Sequence, residues 1–341
     1  MTGNATHRFT NTAILTVQTA DASQVVTSDA LDARLLDTYR RVGLRPGLLE
    51  RLAGIRERRW WADGVTFVDG AATAGAKAIS ESGVDPAQIG LMVNTSVSRK
   101  HLEPSTAVAV HDQLGLPRSC QNFDVTNACL GFVNGMELAA AMIDSGMTEY
   151  ALVVNGEDSR PVQERTIELL NRPETNAKDV MGHFATLTLG SGAAAMVLGR
   201  ADRHPEGHRL VGSVSRAGTE HHLLCTGDND GMQTDLKGLL AAGLELSHDM
   251  WTEAAAEFDW AGGMDRYVVH QVSKVHTQAM CERFGIDPAR VPTTFPTRGN
   301  LGPASVPFTL AAGADTLADG DRVLLMGIGS GLNACCLEIA W

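Results

Sequence analysis

The residue with the clearest chemistry is Cys129. It stands in DVTNACLGFVNGMELAAAM, where an extended run meets a helix of small residues. A thiol at such a turn lies at a helix amino terminus, whose partial positive charge favours thiolate. The neighbouring backbone N–H groups are placed to bind an oxyanion. Ala128 and Gly131 let another segment approach closely. A cysteine taken at random is more often a small buried hydrophobe, and it is the turn that sets Cys129 apart. A thiolate nucleophile calls for a basic partner. Of eleven histidines, His270 is the one that ends an apolar strand, RYVVHQVS, ahead of a helix. Strand ends facing a crevice are where α/β proteins place reactive groups. Asn300, in TRGNLGPASVPF, sits in a glycine-flanked turn before another helix; alone, that is turn chemistry.

Two other clusters point nowhere. His221-His222 with Cys225 lacks a second ligand pair at zinc spacing. Arg56–Arg59 followed by Trp60-Trp61 is a short basic run on an acidic chain, a solvated face or a phosphate contact.

The elements that must carry these residues alternate. Strands are expected at 13–17, 89–95, 123–125 and 150–154. Helices are expected from a Thr27-Ser28-Asp29 cap through Leu31, Leu35 and Leu36, over 70–82 to the stop at Gly83, over 105–114 and over 130–145. Alternation of this kind means α/β layering. Two phrases recur in the same order: VNTSVSR (93–99) with VVHQVSK (268–274), and LGSGAAAMVLG (189–199) with IGSGLNACCLEI (328–339). That implies a duplicated unit with its junction in the polar stretch 200–209, giving halves 1–204 and 205–341.

The chain has 341 residues, room for two core-bearing halves. Its 28 basic and 40 acidic residues leave a net charge of −12 with no basic cluster, which argues against nucleic acid and anionic membrane as partners. No apolar stretch reaches spanning length, and the amino terminus lacks an export signal. Six irregularly spaced cysteines then read as reduced thiols of a cytoplasmic protein.

Cys in NACLG, His in VVHQVS, Asn in RGNLGPAS and a terminal GIGSG, in that order, resemble the ketoacyl synthase III branch of the thiolase superfamily. The resemblance covers essentially the whole chain. It implies a five-layered αβαβα thiolase fold of two similar halves, a homodimer, and ping-pong acyl transfer without a cofactor, coenzyme A thioesters being substrates. In that scheme Cys129 takes the acyl group, His270 and Asn300 polarise the second thioester, and the backbone N–H groups of Cys129 and Ser330 form the oxyanion hole.

Within the branch, HQVS at 270–273 replaces the HQAN of malonyl-dependent priming synthases, and LLERLA (48–53) replaces their coenzyme A segment. The phrases LEPSTA, NACLGFVNGM, HQVSKVH and GNLGPASVP are closer to the acyl-CoA:acyl-CoA Claisen enzymes of long-chain olefin biosynthesis. There nothing decarboxylates, so a base must take an α-proton. The resemblance assigns that role to Glu103 in HLEPST, across the dimer interface and with a raised pKa; without it, Glu103 reads as an exposed pre-proline turn. An association with the enzymes acting next in that pathway belongs to the same expectation. The competing readings are a malonyl-dependent synthase III, a hydroxymethylglutaryl-CoA synthase and a non-catalytic acyl-binding subunit.

Overall fold

A computed structural model describes residues 5–260 and 263–341. Up to residue 200 the chain runs β1 (Thr6–Arg8), β2 (Thr12–Asp21), β3 (Gln24–Thr27), α1 (Ser28–Arg34), α2 (Leu36–Val42), β4 (Glu57–Trp60), α3 (Phe67–Ser82), β5 (Ile89–Asn94), α4 (Thr106–Leu114), β6 (Gln121–Asp124), α5 (Gly131–Asp144), β7 (Tyr150–Glu157), α6 (Arg160–Leu170), α7 (Ala177–Gly182), α8 (Phe184–Thr188) and β8 (Gly192–Arg200). It continues with β9 (His208–Ala217), β10 (Cys225–Asp228), β11 (Gly231–Thr234), α9 (Leu236–Phe258), β12 (Arg266–Val269), α10 (Lys274–Phe284), α11 (Phe295–Arg298), α12 (Ser305–Gly313), β13 (Arg322–Gly329) and β14 (Asn333–Ala340).

Ten strands form one sheet in the order β12-β13-β14-β9-β2-β8-β7-β5-β6, with β1 added on β9. The order repeats itself. β5 and β7 are parallel, then β8 and β2 follow antiparallel. Likewise β12 and β13 are parallel, then β14 and β9 follow antiparallel. The two phrases that recur in sequence fall on corresponding strands, β5 with β12 and β8 with β14. The halves join through two residue pairs of β2 and β9, Ala13↔Arg209 and Ile14↔His208, so hydrogen bonding runs across both.

Side chains alternate across each strand and both faces are buried, which explains the near-continuous apolar runs. Leu91, Val93, Ala151, Val153, Met196 and Leu198 face inward with Val268, Val323, Leu325 and Leu337 around α5 and α12. Met92, Leu152, Val154 and Val197 face outward onto α3 and α4. Leu324, Met326 and Cys336 face outward onto α9 and α10. Helices, half-sheet, helices, half-sheet and helices are the five expected layers.

The expected first helix breaks at Leu35 (φ −109°), and a second helix carries Tyr39 into the same cluster as Leu31 and Leu35. The helix after Cys129 runs as expected.

Candidate active site

Strand β6 delivers the nucleophile segment. At its end the Asp124 carboxylate accepts from Asn94 Nδ2 (2.9 Å), Thr106 N (3.0 Å) and Ala107 N (2.8 Å), and pairs with Arg99 (2.5 Å). The side-chain bonds from Arg99 and Asn94 and the backbone bonds from Ala107 and Thr106 together keep that carboxyl below its ordinary range despite burial. The chain then turns sharply. Leu130 N donates to Asn127 O (3.0 Å) and Gly131 N to Ala128 O (3.1 Å). Ala128 adopts φ +45°, a left-handed conformation costly for an L-residue and common where a turn aims a functional group. Asn127 holds the turn from two sides, donating to Asn134 Oδ1 (2.9 Å) and accepting from Asn333 Nδ2 (3.1 Å).

The small residues of α5 let it settle on β5. A Cβ on Gly131 would lie 3.1 Å from Thr95 O, and one on Gly135 2.8 Å from Thr95 Cγ2. Close approach at Gly131 is as the sequence implied.

Cys129, His270, Asn300 and Ser330 line one cavity of about 350 Å³. His270 follows β12, its N–H continuing the ladder to Met326 O (2.8 Å). Gln271 pins the turn, accepting from Thr294 N (2.9 Å) and donating to Val269 O (2.9 Å). Asn300 is clasped by backbone: its N–H reaches Thr188 O (2.9 Å) and its carbonyl accepts from Gly190 N (2.9 Å). That approach needs glycines, since a Cβ on Gly190 would lie 1.9 Å from Arg298 O. Asn300 Oδ1 accepts from Gly302 N (2.9 Å), which leaves its NH₂ for the cavity. Ser330 follows β13, opposite the Cys129 turn.

Most of the remaining wall is apolar, and this works against the thiolate expected from the helix terminus. Burial, with Cys225 and Glu157 adding, pushes the Cys129 thiol up to about 12. Burial, with His276 adding, pushes the His270 imidazole down to about 3. Both shifts favour the uncharged forms, thiol and imidazole, against the pull of the helix terminus towards thiolate.

Glu103 is not brought to these groups by its own chain. It is exposed on the segment between β5 and α4, beside Leu102, which is 94% exposed. Among the described residues, no carboxylate lines the cavity.

Two residues near the site, Glu157 and His276, escaped the sequence reading, and Cys225 entered it only as part of a metal candidate. Glu157 ends the fully buried strand YALVVNGE, and that placement of an acid was the available signal. Its carboxylate accepts from Val97 N (2.7 Å), Ser98 N (3.0 Å) and Ser98 Oγ (2.6 Å), anchoring the start of the segment that carries Glu103. Burial raises its pKa against those bonds. His276, one turn into α10, lines the cavity with Nδ1 3.0 Å from Ser273 Oγ, and burial lowers its pKa to about 4. Cys225 also lines the cavity; its histidine neighbours at 221 and 222 do not. Among the described residues no cluster of three or more His, Cys, Asp or Glu could hold a metal ion. None of the described helices is long and apolar enough to cross a membrane.

Known proteins match this chain throughout. Residues 123–218 fit the 3-oxoacyl-[acyl-carrier-protein] synthase III model, and residues 261–341 fit that family's C-terminal model. An acyl-CoA:acyl-CoA alkyltransferase of Xanthomonas campestris is 44% identical over 98% of this chain and 99% of its own. One from Shewanella oneidensis is 35% identical over 94% and 96%. Solved structures of Xanthomonas campestris OleA superpose with a TM-score of 0.95 at 43% identity, over 98% of this chain and 100% of that one, for a cysteine-to-serine variant with bound lauric acid and lauroyl-CoA. Others of the same protein carry substitutions at a glutamate, a cysteine or a histidine. By sequence, cavity and fold, the chain belongs to the ketoacyl synthase III-like acyltransferases of the thiolase superfamily, with the acyl-CoA:acyl-CoA alkyltransferases as its relatives.

Proposed function

We propose that the protein joins two long-chain acyl-CoAs by a non-decarboxylative Claisen condensation, through an acyl-Cys129 intermediate, to a 2-alkyl-3-ketoacyl thioester. This is the entry step of head-to-head olefin or ketone biosynthesis. The observation that carries the reading is the apolar cavity in which Cys129, His270, Asn300 and Ser330 meet.

Cys129 Sγ attacks the first thioester carbonyl as its proton passes to His270. The backbone N–H groups of Cys129 and Ser330 hold the oxyanion, and coenzyme A leaves as thiol with that proton. A neutral His270 then has an N–H to donate. With the Asn300 NH₂ it holds the carbonyl oxygen of the second acyl-CoA. Glu103 of a second subunit takes the α-proton, the α-carbon attacks the acyl group, and Cys129 leaves as thiolate and recovers the proton from Glu103. The exposed Glu103 segment suits a role across a homodimer interface. In the OleA variants the substituted glutamate and cysteine are separated by the same interval as Glu103 and Cys129, and the cysteine-to-histidine interval differs by one residue, which supports the same roles here.

No cofactor beyond the thioesters enters this scheme, and a cytoplasmic setting with access to the next pathway enzymes fits it. We also infer that the halves divide at 204/205, between β8 and β9.

The test is incubation with a long-chain acyl-CoA alone, followed by product mass spectrometry and peptide mapping. A condensed ketoacyl product and one acyl group on Cys129 are expected, and Cys129→Ala should release no coenzyme A. Acylation at Cys225, or product only with malonyl-carrier protein, would replace this reading.

A further inference from the structure

Helix α9 has an unusual inner face. Leu236, Leu239, Leu240, Gly243 and Met250 recur at helical spacing and all line the cavity. Gly243 is out of place in this series. Glycine in a helix interior is unfavourable, and nothing in its conformation calls for it, since it is not among the glycines with positive φ. A Cβ there would lie 2.9 Å from Ile328 Cδ1, the end of that side chain, and beyond its own helix that is the one contact within 4 Å among the described residues.

Ile328 belongs to the strand that ends at the oxyanion hole. Met326, Ile328 and Ser330 alternate along this segment and all line the cavity. Successive members of such a row are about 7 Å apart. An acyl chain whose carbonyl lies at Ser330 N therefore meets Ile328 within a few carbons and Met326 further in. On the facing helix, Met250 lies two turns beyond Gly243, about 10 Å deeper. Both walls thus run along one path, and Gly243 stands opposite Ile328 on it.

We propose that Gly243 and Ile328 form a waist that sets the length of acyl chain accepted on Cys129, with the absent side chain at 243 admitting chains that reach Met250 and Met326. The proposal rests on the acyl-CoA reading above. Short acyl groups end before the waist and long ones must thread it, so a side chain at 243 acts on the ratio between them.

The experiment measures the second-order rate constant for coenzyme A release with hexanoyl-CoA and tetradecanoyl-CoA, for wild type, Gly243→Ala, Gly243→Val and Gly243→Val/Ile328→Ala. Using a ratio within each variant cancels any loss of folded protein, and alanine improves on glycine as a helix residue. The tetradecanoyl-to-hexanoyl ratio should fall about tenfold or more in Gly243→Val, in line with the discrimination that one or two methyl groups give in an apolar pocket, and less in Gly243→Ala. Removing the Ile328 side chain should restore most of it. An unchanged ratio in Gly243→Val, or no recovery in the double variant, overturns the waist while leaving the acyl-CoA reading intact. A wild type that releases no coenzyme A from either substrate overturns that reading, and the waist with it.

Discussion

Burial pushes both partners at the nucleophile towards their uncharged forms before substrate arrives. With the Cys129 thiol near 12 and the His270 imidazole near 3, neither titrates between those values. A preformed thiolate–imidazolium pair would instead show an ionisation in the working range. The expected outcome is a burst of coenzyme A release whose rate is flat from about pH 5 to pH 9, read by stopped flow. A bell-shaped profile would restore the ion pair. The sequence exposed Cys129 through its local setting, a strand meeting small helical residues. For Glu157 it offered one signal, an acid closing an apolar strand, and for His276 none, because an imidazole reveals its burial only when distant segments close over it. The same closure bears on the charge of Cys129 itself, where a helix terminus argued for thiolate and the cavity wall argues for thiol.

Among the elements, α5 sets the depth of the nucleophile. It packs on β5 and β7 through glycine: a Cβ at Gly135 would lie 2.8 Å from Thr95 Cγ2 and 3.1 Å from Val153 Cγ1. Gly135→Ala gains about 1 kcal/mol in helix propensity. Against that, forcing a methyl into a filled space costs about 1–3 kcal/mol. A net loss of about 1 kcal/mol in urea unfolding is expected, with slower acylation because the turn at Ala128 rides on the same helix. Stability equal to or above wild type would show that α5 has slack. Helix and strand periods made α5, β5 and β7 legible in advance. The break at Leu35 was not, because the apolar spacing of Leu31, Leu35 and Leu36 suits one helix as well as two.

For the whole molecule, the cavity holds nucleophile, imidazole and amide but no carboxylate among the described residues, while Glu103 stands exposed elsewhere. A base supplied across a two-fold axis makes a distinctive demand. In a mixed dimer of Cys129→Ala and Glu103→Gln subunits, one site lacks both groups and the other has both. Random mixing of two inactive variants should therefore restore about a quarter of wild-type condensation, half the dimers being mixed and half their sites complete. Each variant alone should give none, although Glu103→Gln still releases one burst of coenzyme A. No recovery on mixing, with mixed dimers demonstrated, would place the base within one chain.

The sequence by itself determined the local and the repeated: the turn at Cys129, the strand end at His270, the glycine-flanked turn at Asn300, and a duplicated α/β unit whose recurring phrases fall on matching strands. Each of these is written in residue types a few positions apart, or in one pattern used twice. The tertiary structure alone decided what depends on solvent exclusion and on facing surfaces. It pushed the thiol up and the imidazole down, left Glu103 exposed, joined the half-sheets through β2 and β9, and set Gly243 against Ile328. Desolvation and side-chain apposition belong to pairs of segments far apart in the chain, and no spacing along one segment encodes them.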